Sequence, residues 1–321
     1  MENNLISILM PVYNDAVHIN EAIDSILNQT FKQFELLIID DGSTDSTLNI
    51  ISKYSDERIK LFIRSHAGLI SQLNFGLSVS NGDLIARMDS DDIAMPEKLT
   101  KQFEYLSANF DIDIVGTGFY FINEKGANLL LKKYPEHHED IEFMMPMIDC
   151  LLHSTMLARK KSLIEVGGYY EGYLHAEDDE LFLRLLVNNN KFHNLQEPLY
   201  KYRISGRNSE YYNKHKENSY KCSLIYLNNF YKNKNFGKDK GYFYFRRALL
   251  EYYKGSISNA RKYLLKSFFY IPDKFFKILR YLIFTFLGHD ILNNLRRKNV
   301  TQAINHFLIN KLNIDTYNIK K

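Results

Sequence analysis

The chain has 321 residues, 45% of them hydrophobic, a net charge of +3 and two cysteines. That length allows a sizeable core and about two domains. The near-balanced charge excludes a strongly basic nucleic-acid binder, although lysines and arginines gather late, as in Arg296-Arg297-Lys298 and Lys320-Lys321. Cys150 and Cys222 lie far apart, without disulfide-framework or zinc spacing, which fits a reducing cytoplasm. Met1-Glu2-Asn3-Asn4 does not read as an export signal, and the most apolar late segment, Phe275 to Gly288, carries Lys277 and Arg280 and is too short to span about 30 Å of hydrocarbon.

Leu5 to Met10 is an apolar run of strand length closed by Pro11, and Ile19, Ala22, Ile23, Ile26 and Leu27 follow at helical spacing. Phe34 to Ile39 reads as a second strand ending in Asp40-Asp41-Gly42-Ser43, after which Asp45 can cap a helix carrying Leu48, Ile51 and Tyr54. The pattern then repeats with a strand at Ile59 to Ile63, a helix at Leu69 to Leu77 with Leu73 inward, and a strand at Leu84 to Met88 after the turn pair Asn81-Gly82. Alternating strands and helices predict a mostly parallel, doubly wound α/β sheet with right-handed crossovers. At the carboxyl end of the last strand stand Asp89-Ser90-Asp91-Asp92, and Pro96 suits the first turn of the next helix. Ligands of open α/β sheets bind at that edge, where a hard divalent cation takes a few carboxylate oxygens together with substrate phosphates. Acidic clusters are also common simply as turn and cap residues.

Leu99, Phe103 and Leu106 give the next helix an apolar face, and Ile112 to Val115 and Phe119 to Ile122 read as two further strands. His137-His138-Glu139-Asp140 reads as a solvated loop rather than a metal site, because the histidines lack helical pairing. Beyond His153-Ser154-Thr155 and the turn Gly167-Gly168, Ala176-Glu177-Asp178-Asp179-Glu180 opens an amphipathic helix with Leu181, Phe182, Leu185 and Leu186 inward. Taken alone, Asp178 there is an N-cap. Leu199 to Arg203 reads as an edge strand, Ser205 to Ser209 as a polar loop, and the chain from Lys214 onward as helical. Ala248 to Pro272 has the pattern of one tetratricopeptide-like helix-turn-helix unit, without an array. Phe275, Phe276, Leu279, Leu282 and Ile283 then oppose Lys277 and Arg280 on an amphipathic helix, which fits packing in a helical cap and also contact with a membrane surface.

Four motifs occur in a telling order: Pro11-Val12-Tyr13-Asn14, Asp40-Asp41-Gly42-Ser43, Asp89-Ser90-Asp91-Asp92, and Glu177-Asp178 followed by Leu181 and Arg184. Over roughly Leu5 to Arg207 the chain resembles the family 2 glycosyltransferases of the GT-A fold. The resemblance implies a GT-A nucleotide-diphospho-sugar transferase domain with a doubly wound mixed sheet over residues 1–210, and an all-helical C-terminal region over 211–321. It also implies an inverting hexosyltransferase-type enzyme that moves a single sugar from a nucleotide-diphospho-sugar, first of all a UDP-sugar. The acceptor would be a hydroxyl of a glycan or lipid-linked oligosaccharide in capsule, exopolysaccharide or lipopolysaccharide synthesis.

In that family pattern Asp41 would read a uracil or thymine base, in a pocket lined by Pro11 and Tyr13. Asp89 would contact the ribose or the metal region, and Asp91 would bind the Mn²⁺ or Mg²⁺ that bridges the donor phosphates. Asp178 would be the general base taking the acceptor proton during one inverting displacement, and His153 would lie near acceptor and sugar. Asp92 is left as a helix cap. Ser205 stands where many relatives place a histidine close to the diphosphate. The absence of tryptophan disfavours a processive synthase, so one addition per encounter is expected. The implied place is the cytoplasm, extended by the C-terminal helices to a peripheral position on the inner face of the membrane. Two other functions stay open. A nucleotidyltransferase would need a glycine-rich, basic phosphate loop that Pro11-Val12-Tyr13-Asn14 does not supply; a non-catalytic glycan- or partner-binding protein would have no need of Asp41, Asp89, Asp91 and Asp178 together.

Overall fold

The computed structural model describes residues 4–272, apart from 147, 174, 205–208 and 233–237. Ser205 and the amphipathic segment from Phe275 to Ile283 therefore lie outside the described residues. The chain divides into two compact units, Met1–Asn228 and Asn229–Lys321.

In the first unit, strands β1 (Ile6–Val12), β2 (Phe34–Asp40), β3 (Ile59–Ile63) and β4 (Leu84–Arg87) alternate with helices α1 (Ile19–Leu27), α2 (Thr47–Ile51) and α3 (Leu69–Val79). Every residue of β1 and β2 is buried, as continuous apolar strands must be when both sheet faces are covered. The chain continues through β5 (Ile93–Ala94), α4 (Lys98–Ala108), β6 (Ile114–Ile122), β7 (Asn128–Lys132), α5 (His138–Met144), a 3₁₀ turn at His153–Thr155, β8 (Leu157–Arg159), α6 (Lys160–Glu165), α7 (Glu177–Val187), β9 (Phe192–Arg203) and α8 (Ser209–Lys232). The nine strands form one sheet in the order β3-β2-β1-β4-β8-β6-β9-β5, with β7 paired to β6. Strands β3, β2, β1 and β4 are parallel and β8 runs antiparallel between β4 and β6, so the sheet is mixed. The carboxyl ends of β1, β2 and β4 therefore share one edge.

Several sequence expectations change here. The two strands expected at Ile112 to Val115 and Phe119 to Ile122 are one strand, β6, because Gly116 to Gly118 stay extended against β9. The expected edge strand at Leu199 to Arg203 is the end of β9, which runs twelve residues and lies between β6 and β5. Pro198 is tolerated inside it because the β6 register shifts at Gly118, opposite the proline. Pro11 lies within β1 rather than closing it, and the ladder to β4 has ended at Leu9, so no bond there needs the missing N–H. Helix α2 ends at Ile51, short of Tyr54, whose hydroxyl donates to Asp24 at 2.9 Å. The polar run from His137 is the start of α5, not a loop. Helix α4 begins at Lys98, leaving Pro96 in the preceding turn.

The second unit contains α9 (Lys238–Lys254) and α10 (Ile257–Tyr270), which pack together across Gly255, a residue at φ +95°. Tyr244 stacks on Tyr263 with ring centroids 6.1 Å apart. The predicted helix-turn-helix is present, with its first helix starting ten residues before Ala248. No helix among the described residues is long and apolar enough to cross a membrane. Cys150 and Cys222 are free and buried.

Candidate active site

The loops after β1 and β2 are laced to each other. The Asn14 side-chain oxygen accepts the N–H groups of Thr44 and Asp45 at 2.8 and 3.3 Å, and the Ser43 hydroxyl accepts that of Asn14 at 3.0 Å. Asn14 sits at φ +51°, a conformation asparagine tolerates better than most residues. Gly42, at φ +77°, leaves room for the His66 backbone, which a Cβ would approach to 3.1 Å. Asp40 is fully buried, and one of its oxygens accepts the Gly42 and Ser43 N–H groups at 3.1 Å each. Asp41 is buried and satisfied by its own chain. Its carboxylate accepts the N–H of Ala67 at 2.7 Å, that of Gly68 at 3.0 Å and the Gln72 amide, and lies 3.0 Å from His66 Nδ1. These bonds shape the turn that starts α3. Tyr13 is 47% exposed, and its ring lies 4.3 Å from that of His66 at 35°. The two rings form a platform at the sheet edge, and His66 is a member of it that the sequence did not suggest.

After β4 the chain turns through Asp89, Asp91 and Asp92, each of which offers an oxygen within 4.8 Å of the others. Arg87, at the end of β4, is ion-paired with Asp89. Asp92 is fully buried and accepts the Arg203 N–H at 2.7 Å, while its second oxygen has no hydrogen-bond partner. It is therefore a buried brace between this turn and β9, not a helix cap. Burial, and then the charges of Asp89 and Asp91, push its pKa well above the ordinary carboxylate range. Arg203 fixes the same turn from the other side, donating to the carbonyls of Asp91, Asn123 and Glu124 at 2.6, 3.0 and 2.8 Å and pairing with Glu21. The residues fit a divalent cation. Three clustered carboxylates, one of which carries an orphaned oxygen and a raised pKa, form an oxygen-donor set whose repulsion a hard ion would relieve.

A second carboxylate group opens α7. Ala176 is the N-cap, so Glu177 and Asp178 occupy the first turn and Asp178 is not the cap. Carboxylates are favoured there by the helix dipole, but burial works against their charge. Burial, then the neighbouring Asp178, raises the Glu177 pKa to about 7. The Asp178 pKa is raised by burial and then by Asp149, with His215 and Arg87 opposing. His215 donates from Nδ1 to the carbonyl of His175, a residue held at φ +69° just before the helix. Its remaining side faces Asp149 and Asp179, and these charges raise its pKa despite burial. His215 is another neighbour of this group that spacing along the chain could not reveal.

His153 is buried in the 3₁₀ turn, with Nε2 2.8 Å from the Tyr169 hydroxyl. Burial, then the Arg87 charge, holds its pKa well below the usual imidazole value, so the ring is neutral. The expected site residues thus fall into three places: Pro11, Tyr13 and Asp41 around the β1 and β2 ends, Asp89 and Asp91 after β4, and Asp178 at the start of α7. His153 is buried against Tyr169 and within the electrostatic reach of Arg87.

Residues 7–167 match the family described as Glycosyl transferase family 2. The chain is 35% identical over 234 residues to the O-antigen biosynthesis glycosyltransferase WbnJ of Escherichia coli, which covers 71% of this chain and 90% of that protein. Among solved structures it is similar to S. aureus TarS residues 1–349 in complex with UDP-GlcNAc, with a TM-score of 0.56, 17% identity, and coverage of 81% of this chain and 83% of that one. It is also similar to the mannosyltransferase PcManGT from Pyrobaculum calidifontis in complex with GDP-Man and Mn²⁺, with a TM-score of 0.52, 15% identity, and coverage of 88% and 86%. At these identities the structures establish the GT-A fold. With the sheet edge, the matched residues and the extent of the WbnJ similarity together, the chain belongs to glycosyl transferase family 2 and is a glycosyltransferase.

Proposed function

We propose that the protein transfers one sugar from a nucleotide-diphospho-sugar to a hydroxyl of a surface-glycan precursor, with inversion at the anomeric carbon. The observation that carries this reading is the presence of two separate carboxylate groups in one unit: Asp89, Asp91 and Asp92 after β4, and Glu177 with Asp178 at the start of α7. The first suits the donor diphosphate, and the second suits a base acting on the acceptor. A divalent ion, Mn²⁺ or Mg²⁺, held by Asp91 and Asp89 would neutralise charge on the departing nucleoside diphosphate. Asp178 takes the proton from the acceptor hydroxyl as its oxygen attacks the anomeric carbon, and the bond to the diphosphate breaks with its electron pair staying on phosphate. A single displacement of this kind inverts the centre. Its buried environment, which raises the Asp178 pKa, makes it a stronger base once ionised.

The nucleobase would rest on the platform of Tyr13 and His66, beside Pro11. Asp41 acts there through the turn it holds as well as through any bond to the base, since its oxygens already accept several N–H groups. UDP is the first donor nucleotide to test, given the UDP-GlcNAc complex of TarS, and GDP the second, given the GDP-Man complex of PcManGT. The WbnJ similarity supports a role in O-antigen assembly. A glycan or lipid-linked oligosaccharide is then the acceptor, and the helical C-terminal region is the segment for a peripheral membrane contact. The test is nucleotide release by purified protein with MnCl₂ across a panel of UDP-, GDP- and dTDP-sugars. Release from one class of donor, lost on Asp91→Asn, is expected; no release and no metal-dependent nucleotide binding would overturn the proposal.

A further inference from the structure

Three arginines bond to the strands and loops around β4, Arg159 at its amino end and Arg87 and Arg203 at the edge of the acidic turn. Arg159 donates to the backbone carbonyls of Ile112, Leu106 and Asn109, and Arg203 to those of Asp91, Asn123 and Glu124. Both tie loops to the sheet. Arg203 also pairs with Glu21, whereas the carboxylate paired with Arg87 is Asp89, a member of the acidic group after β4. Its side chain is 7% exposed, and its Nε, sealed from solvent, has no hydrogen-bond partner. A guanidinium has five N–H donors in a fixed fork, so the fold alone does not use this one fully. Removing one partner of a buried ion pair costs more than replacing both by apolar groups, so a variant that keeps the charge is needed to separate a structural role from a positioning one.

Its position gives it a wider reach. Strand β4 lies between β1 and β8, and Arg87, opposite Leu9 of β1, is the last β4 residue before the acidic turn. From there its charge acts on Glu177 and Asp178 at the start of α7 and on His153 and Tyr169, as well as on Asp89. We propose that Arg87 is a positioning residue of the donor side of the site: from the end of β4 its buried guanidinium holds the Asp89 carboxylate in place within the acidic turn by an ion pair. It does so without touching the reacting atoms. The inference rests on the glycosyl-transfer reading, in which Asp89 serves the donor diphosphate.

The experiment compares wild type, Arg87→Met and Arg87→Lys by thermal melting, by calorimetric titration with UDP in the presence and absence of Mn²⁺, and by donor kinetics resolved into kcat and KM. A positioning role predicts that Arg87→Met stays folded, binds UDP with Mn²⁺ about tenfold more weakly and loses about a hundredfold in kcat, the scale of an ångström-sized misplacement. Arg87→Lys, with the charge but not the fork, should recover UDP affinity to within about threefold while kcat stays about tenfold down. If both variants keep wild-type kcat, KM and UDP affinity per folded molecule, with or without a lower melting temperature, Arg87 is a brace of the fold and the proposal is wrong. Failure of both variants to fold overturns it equally. If wild type itself shows neither metal-dependent UDP binding nor release from any donor, the glycosyl-transfer reading falls and takes this inference with it, a result distinct from unchanged variants of an active enzyme.

Discussion

The ends of β2 and β4 carry acidic turns that look alike in sequence, Asp40-Asp41 and Asp89-Ser90-Asp91-Asp92, and the fold uses them in opposite ways. At β2 the oxygens of Asp41 accept N–H groups of Ala67 and Gly68 and the Gln72 amide, so the carboxylate organises the start of α3. At β4 three carboxylates face one another within 4.8 Å, and burial and the neighbouring charges raise the pKa of Asp92. A carboxylate whose charge is answered by backbone amides stabilises a fold, whereas clustered carboxylates answered only in part, Asp89 by Arg87 and Asp92 by the Arg203 N–H, gain from a bound cation. The first arrangement shapes a turn; the second is a candidate cation site.

Substitutions can break or sharpen this contrast. The largest effect is expected at the site's other end: Asp178→Asn should lower kcat by about a thousandfold while leaving UDP binding intact, the size of a lost general base. Calorimetry beside steady-state kinetics checks it. Asp91→Asn should weaken Mn²⁺-dependent UDP binding by about a hundredfold, yet leave the melting temperature of the metal-free protein unchanged or higher, because a repulsive charge is gone. Asp41→Asn should do the reverse. Its new NH₂ cannot accept from both amide groups, so about 2 kcal/mol of stability should be lost, read as a lower urea midpoint at an unchanged slope. If Asp41→Asn and Asp91→Asn gave the same pattern, the contrast would not stand.

The smallest effect is a pH dependence. Glu177 has a folded pKa raised from 4.5 to about 7. The folded state therefore holds the proton more tightly than the unfolded one, and the contribution is fully present below the ordinary glutamate value and lost as pH rises through about 7. Within that window metal-free protein should lose at most about 1.4 kcal/mol per pH unit from this group. Denaturation series at several pH values should show a flatter curve for Glu177→Gln; an unchanged slope would remove Glu177 as its source.

The alternation of apolar runs with helical periodicity was enough to assign β1 through β4 and the helices between them, and with them the edge on which Asp41, Asp89 and Asp91 stand. Local pattern failed where tertiary contact sets the element. The central glycines of β6 are extended because β9 lies alongside, and β9 accepts Pro198 because its partner shifts register. Helix α5 begins in a run of polar residues whose pattern gave no helical face, and Phe192 N–H meets His138 Nδ1 at 3.4 Å on its first turn.

For the site, sequence by itself determined which residue types stand at the carboxyl ends of the strands, because side-chain chemistry and strand order along the chain are written there. Only the tertiary structure decided what each carboxylate does. That depends on burial and on partners distant in sequence: Ala67 and Gly68 for Asp41, Arg203 for Asp92, Arg87 for Asp89, and His215 for the acids of α7. The free energy of a charge is set by the groups folding brings within a few ångströms of it and by the water folding excludes, and neither is a property of its place in the sequence.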